Sequence, residues 1–132
     1  MARVVFYEKP GCIANRRQKA LLRRSGHALE LRNLLEEDWT EERLRPFFGA
    51  LPVGAWFNPS APAVKTGQVV PRDMGEAGAL AAMCADPLLI RRPLMQVGTE
   101  RRAGFVTEAV AAWIGLVAVD GPVGDSCPLT GP

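Results

Sequence analysis

The chain has 132 residues, with sixteen Lys and Arg against fourteen Asp and Glu, a net charge of +2 at neutral pH. That length allows one domain, and so even a balance excludes the strong electrostatic steering of proteins that bind nucleic acid or acidic membranes directly. Hydrophobic residues at 48% and charged residues at 23% exclude a disordered chain and imply a buried core.

Arg3-Val-Val-Phe-Tyr7 is β-branched and aromatic and stops at Pro10-Gly11, which predicts a buried strand followed by a tight turn. A helix is expected from Cys12 to Arg24. It is free of Pro and Gly, carries Ile13 with Ala20 and Ala14 with Leu21 seven apart, and is stopped by Ser25-Gly26. His27 to Leu31 alternates as a second strand would, so the chain opens with a β-α-β unit. After the acidic connection Asn33 to Asp38, Thr40 followed by Glu41 and Glu42 reads as an N-cap with dipole-favoured carboxylates. Pro46 predicts a kink or break before Phe47-Phe48. A short helical piece follows at Val53 to Phe57, then a surface excursion over Ser60 to Arg72, then a helix over Gly75 to Ala85. Pro93 to Val97 and Arg102 to Val106 are expected to pair as a hairpin around Gly98-Thr99. Thr107 would cap a last helix with Val110, Trp113, Ile114 and Val117 on one face. This order gives an α/β thioredoxin-like fold: a mixed four-stranded sheet, β-α-β then β-β-α, with an all-helical insertion at about residues 38–86. One domain over residues 1–117 and a flexible C-terminal tail over 118–132, where Gly and Pro supply six of the last thirteen residues, complete the expectation.

No apolar run approaches the ~20 residues that cross a bilayer, and charge interrupts the start too soon for a signal peptide, so a cytoplasmic protein without membrane contact is expected. Cys12, Cys84 and Cys127 are odd in number and widely spaced, which fits neither a disulfide framework nor a zinc-ligand pattern. Neither a metal nor a bound cofactor is expected. Cys12 stands where the first strand gives way to a helix, among the unpaired N–H groups of the first turn, with Arg16 one turn onward. Cysteines so placed have pKa values lowered from about 8.5 to ~3.5–7.5 when cations assist, and the thiolate is the nucleophile. Against this stands the plainer alternative, a small buried packing residue. Position 15 is Asn15, so there is no Cys-x-x-Cys pair, and any disulfide of Cys12 must involve Cys84, Cys127, another chain or a small thiol. Cys84 in an Ala-rich helix, a solitary His27, and Trp39, Trp56 and Trp113 on helical segments read as packing residues.

The run Phe6-Tyr-Glu-Lys-Pro-Gly-Cys-Ile-Ala-Asn-Arg16, with Leu88-Leu-Ile-Arg-Arg-Pro-Leu-Met95 downstream, resembles the glutaredoxin-dependent arsenate reductase family, whose fold the Spx-type transcription regulators share. Trp56 to Pro62, Gly98 to Phe105 and Ala112 to Leu116 resemble the subgroup called nitrogenase-associated proteins. The resemblance implies Cys12 as the nucleophile, Asn15, Arg16 and Arg92 as stabilisers of thiolate and oxyanion, and Pro93 as a cis-proline facing the cysteine. It also implies glutathione or glutaredoxin as an external reductant. Asn58 stands where the family holds oxyanion with an arginine, and Glu8 where it often has a histidine. Two functions follow as expectations: a thiol-dependent oxidoreductase acting through Cys12, or a non-enzymatic accessory protein of nitrogen fixation that keeps the scaffold and binds a protein partner.

Overall fold

The computed structural model describes residues 2–117; Cys127 and the expected tail over 118–132 lie outside the described residues. In chain order the elements are β1 (Arg3–Glu8), α1 (Ile13–Arg24), β2 (Ala28–Asn33), α2 (Glu41–Leu44), α3 (Pro62–Lys65), α4 (Glu76–Ala85), β3 (Leu94–Val97), β4 (Glu100–Ala103) and α5 (Thr107–Ile114). Single 3₁₀ turns at Arg45–Phe47, Val53–Trp56, Pro71–Asp73 and Pro87–Leu89 link the helical middle of the chain.

The four strands form one sheet in the order β2-β1-β3-β4. β1 runs parallel to β2 and antiparallel to β3, and β4 is antiparallel to β3. This is the mixed sheet of the thioredoxin-like plan. Because successive side chains of a strand alternate between faces, β1 sends Val4 and Phe6 one way and Val5 and Tyr7 the other. Val4 and Phe6 pack with Met95 against Leu21 and Leu22 of α1, against Phe105 of the loop after β4, and against Val110 of α5. Tyr7 and Leu94 pack on the opposite face with Trp39, Phe47, Phe48, Trp56, Met83 and Ile90 from the helical block. A strand covered on both faces needs an unbroken apolar run, which is why Val4-Val-Phe-Tyr7 lacks the polar alternation of β2. In β2, an edge strand, Leu31 is 41% exposed.

Several local signals act as their chemistry dictates. The Thr40 hydroxyl accepts the Arg43 backbone N–H at 3.2 Å and caps α2. Pro46 ends that helix by forcing its continuation into a 3₁₀ turn. Other expectations shift. The hairpin partner is Glu100–Ala103, two residues before the predicted start, because the tight turn at Gly98 (φ +60°) begins the return strand at once. Phe105 is then free to leave the sheet for the core between α1 and α5. Val106 occupies the N-cap position of α5 where Thr107 was expected. The Ser60–Arg72 excursion is not bare loop: α3 lies within it and Ala61 is 1% exposed against the helical block. Of the two seven-residue pairs in α1, Ala14 with Leu21 is buried, whereas Ile13 and Ala20 are exposed. His27 is a structural staple: its Nδ1 accepts the Ala2 N–H at 2.9 Å and its Nε2 meets the Gly115 carbonyl at 2.7 Å. Among the described residues no helix is long and apolar enough to cross a membrane.

Candidate functional site

β1 delivers the chain to Lys9-Pro10-Gly11, and the reversal into α1 puts Gly11 at φ +82°, a left-handed conformation that glycine adopts without a Cβ clash. Cys12 follows as the N-cap of α1 with extended backbone. Its N–H donates to the Lys9 carbonyl at 3.1 Å, and its own carbonyl accepts the Arg16 N–H at 3.1 Å. The residue is 5% exposed, with exposed Gly11 and Ile13 on either side.

Asn15, 1% exposed, braces this turn. Its Oδ1 accepts the Lys9 N–H at 3.0 Å and its Nδ2 donates to Gln18 Oε1 at 2.9 Å. The side-chain amide therefore fixes the approach of β1 to the helix that carries the cysteine. Arg16 is exposed one turn further along α1. Glu8 pairs with Lys19 Nζ at 2.7 Å, both side chains more than four-fifths buried, so an ammonium offsets the carboxylate nearest the turn in sequence.

Arg92 and Pro93 immediately precede β3, joined by a cis peptide bond. The register pairs Tyr7 with Leu94, so the Arg92–Pro93 step, just before β3, and the Lys9–Cys12 turn, just after β1, lie at the same end of adjacent antiparallel strands. Arg92 is 5% exposed, and its Nε is buried without a hydrogen-bond partner. It lines a cavity of about 260 Å³ together with Phe57, Asn58, Pro59, Val64 and Arg91, and no Asp or Glu is in that wall. A buried guanidinium nitrogen left without an acceptor is costly, and an anion seated in this cavity would supply one. Asn58 sits in the same wall but is committed elsewhere: its Nδ2 donates to the Leu88 carbonyl at 3.3 Å and its Oδ1 accepts the Ser60 N–H at 3.0 Å. An antiparallel bridge between Phe57 and Ile90 ties this corner to the segment leading into Arg92. Cys12 does not line the cavity. The fold thus brings Cys12, Asn15, Arg92 and Pro93 to one end of the sheet, with Arg16 outside on the helix. The pairing of Glu8 with Lys19 and the committed carboxamide of Asn58 were not legible from spacing; i to i+3 contacts within a helix are the signal that foretells Asn15 with Gln18.

Cys84 on α4 is half-buried. Burial pushes its thiol up, and the negative charge of Glu41 adds to the shift. Raising an acid's pKa lowers its ionised fraction at any pH below it, so Cys84 is expected to alkylate more slowly than a free thiol at pH 7 and to gain reactivity only in alkaline solution. Iodoacetamide labelling against pH, resolved by peptide mapping, checks this; labelling as fast as glutathione at pH 7 is the contrary result. Among the described residues no group of three or more His, Cys, Asp or Glu is placed to hold a metal ion.

No protein-family model matches the chain. It is 54% identical over 128 residues, 97% of its own length and 90% of the relative's, to a Rhodospirillum rubrum protein described as an uncharacterized 15.7 kDa protein in the draG 3′ region. Among solved structures it is similar to an arsenate reductase from Vibrio cholerae, with TM-score 0.69 and 28% identity over 84% of this chain and 97% of that one. A protein from Bacteroides fragilis described as putative and related to the ArsC family superposes with TM-score 0.73 at 23% identity, covering 83% of this chain and 97% of that one, a likeness of fold. On this evidence the chain belongs to one family with the Rhodospirillum rubrum protein, and its scaffold is the thioredoxin-like scaffold of the arsenate reductases.

Proposed function

We propose that this chain is a single-cysteine thiol oxidoreductase, with Cys12 as nucleophile, Arg92 as the holder of an anionic group on the substrate, and glutathione or glutaredoxin as reductant. The observation that supports it is the buried, unpartnered Arg92 Nε at the same end of the sheet as the Cys12 turn. In the first step the Cys12 thiolate attacks one sulfur of a glutathione mixed disulfide, forming a new S–S bond and expelling the substrate thiolate. In the second, a glutathione thiolate attacks the Cys12 adduct, giving glutathione disulfide and regenerating the Cys12 thiolate. The sum of the two steps converts the mixed disulfide and one free glutathione into the substrate thiol and glutathione disulfide, and the expelled substrate thiolate takes up the proton that the attacking glutathione gave up.

A second reading has its own support. Asn58, at the position where the arsenate reductase resemblance places an oxyanion-holding arginine, is bound to backbone groups of its own corner. A missing donor of that kind costs ~10²–10³ in rate, which favours an accessory role over arsenate turnover. The draG-region name of the Rhodospirillum rubrum relative agrees with a setting in nitrogen fixation.

Exposure of the reduced protein to glutathione disulfide, followed by peptide mapping, separates the two. The oxidoreductase reading expects one glutathione on Cys12, placed there before any on Cys84 and removed by excess glutathione. Modification of Cys84 with Cys12 untouched overturns it and leaves the accessory role.

A further inference from the structure

α1 buries one side and turns the other to solvent. Ile13, Arg16, Arg17, Ala20, Arg23 and Arg24 are all exposed, and at 3.6 residues per turn they fall within about 120° of arc along about 17 Å of helix. The helix contains neither Asp nor Glu, and none of these four arginine side chains has a partner among the described residues. Lys19, the other cation of α1, lies off this stripe and is held by Glu8 at 2.7 Å. Folding alone does not ask for the arrangement. Arg23 and Arg24 close the helix where its dipole favours cations, but Arg16 and Arg17 stand at the end of its first turn, where the dipole gives a cation no support. In a chain whose net charge is +2, positive charge is thus gathered on a single helix face rather than spread over the molecule.

We propose that this face of α1 docks another protein that presents an acidic helix, with carboxylates meeting the four arginines one by one and an apolar side chain set against Ile13. Charge complementarity requires an anionic partner, and three observations make it a protein. The cations of the stripe are all arginine, a residue enriched at protein interfaces and able to hold a carboxylate through two parallel N–H bonds. The stripe opens on Ile13, 40% exposed, which offers a protein surface an apolar contact that a phosphate backbone does not use. The low net charge of the whole chain gives little of the electrostatic affinity on which binding to nucleic acid depends. Carboxylates three, four and seven residues apart on a helix repeat with the same rise as the arginines, so each guanidinium meets its own acid and none has to converge on a shared one. The stripe begins one residue after Cys12, so a partner seated on it lies beside the Cys12 turn. The inference holds whether or not that cysteine turns over.

The test is titration of the full chain with a synthetic helical peptide of about twenty residues carrying one Leu and Glu at i, i+3, i+4 and i+7, and with a scrambled peptide of the same composition, followed by amide resonances in NMR spectra. Saturable shifts are expected along Ile13 to Arg24, with the scrambled peptide binding about ten-fold more weakly. Arg17→Glu is expected to weaken the patterned peptide about ten-fold, and Arg17→Glu with Arg24→Glu to remove binding. A peptide with Lys in place of Glu should then bind that double variant and not the wild-type chain. Should the double variant fail to fold, Arg17→Gln, an exposed substitution that removes the charge alone, carries the test. Equal affinity for the two peptides, shifts away from α1, or an Arg17→Glu chain that binds as the wild type does would each overturn the proposal. Tighter binding to duplex DNA or to phosphatidylserine vesicles than to the patterned peptide, at about 150 mM salt, would also overturn it and make the face a nucleic-acid or membrane surface. So would self-association of the chain that Arg17→Glu abolishes, which would make the acidic run from Glu36 to Glu42 of a second copy the occupant.

Discussion

Replacing Cys12 by alanine is expected to slow glutathione release from a glutathionylated peptide at least ~100-fold at pH 7, because the step requires a thiolate and no other described residue supplies one in a comparable place. Cys84 is the other described thiol, and burial together with Glu41 holds it further from ionisation than a free cysteine. The loss should be chemical rather than structural. Cys12 contributes backbone hydrogen bonds to the turn, through Lys9 and Arg16, that alanine retains, and Asn15 continues to brace the Lys9 N–H. Removing one small buried sulfur costs about 1 kcal/mol, as loss of a similar-sized group does, so the circular dichroism spectrum should be unchanged and the thermal midpoint only slightly lower. Cys12→Ser, which restores a group of nearly the same volume, should recover that midpoint without recovering the rate. A Cys12→Ala protein that keeps its rate would show that the fold has been retained without its chemistry, and the accessory role would then account for the chain.

What the sequence discloses depends on how local the determining physics is. Thr40 caps α2, Pro46 ends it, and Ala14 and Leu21 turn the same face of α1 inward, because each effect is decided within one or two turns of chain. The thioredoxin-like order of elements follows from such signals in series. The hairpin start was misplaced because Arg101 and Arg102 in β4 are polar on both faces of an edge strand, so they carry no period-2 pattern, whereas Phe105 carries an apolar signal that belongs to a helix-facing core. At the site, Cys12 was legible from Pro10-Gly11 and the helix it opens. The resemblance marks Asn15 as a stabiliser of the thiolate, but its hydrogen bonds run back to Lys9 and along α1 to Gln18, which requires the turn geometry to see. The electrostatic setting of Glu8 depends on Lys19, eleven positions away, and that of Arg92 on a cavity whose wall is drawn from the helical insertion. Long-range burial of a charge leaves no mark in spacing.

That burial makes Arg92 the residue where stability and function should part company. Arg92 is 5% exposed, with an orphaned Nε and no carboxylate in the cavity it lines, so that nitrogen bears a desolvation cost that nothing in the wall offsets. Methionine has a comparable length and an unbranched, adaptable side chain able to fill the same space without a charge. Replacement of a buried, poorly compensated ion by an apolar residue of similar volume is often neutral or stabilising by ~1–4 kcal/mol, and Arg92→Met is expected to raise the thermal midpoint of the ligand-free protein. The same substitution removes the charge that would meet an anionic substrate, and loss of such a donor lowers turnover ~10²–10³-fold. Adding sulfate or phosphate should raise the midpoint of the wild-type chain, since a ligand at one hundred times its dissociation constant contributes about 2.7 kcal/mol, and should leave Arg92→Met unmoved. Thermal denaturation of both proteins with and without sulfate, alongside the glutathione-release rate, reads all three effects. An Arg92→Met protein that is less stable, yet keeps the wild-type rate, would mean that the arginine is paired in solution and serves the fold; a more stable protein that has lost both its rate and its response to sulfate is what an anion site adjoining a nucleophilic turn requires.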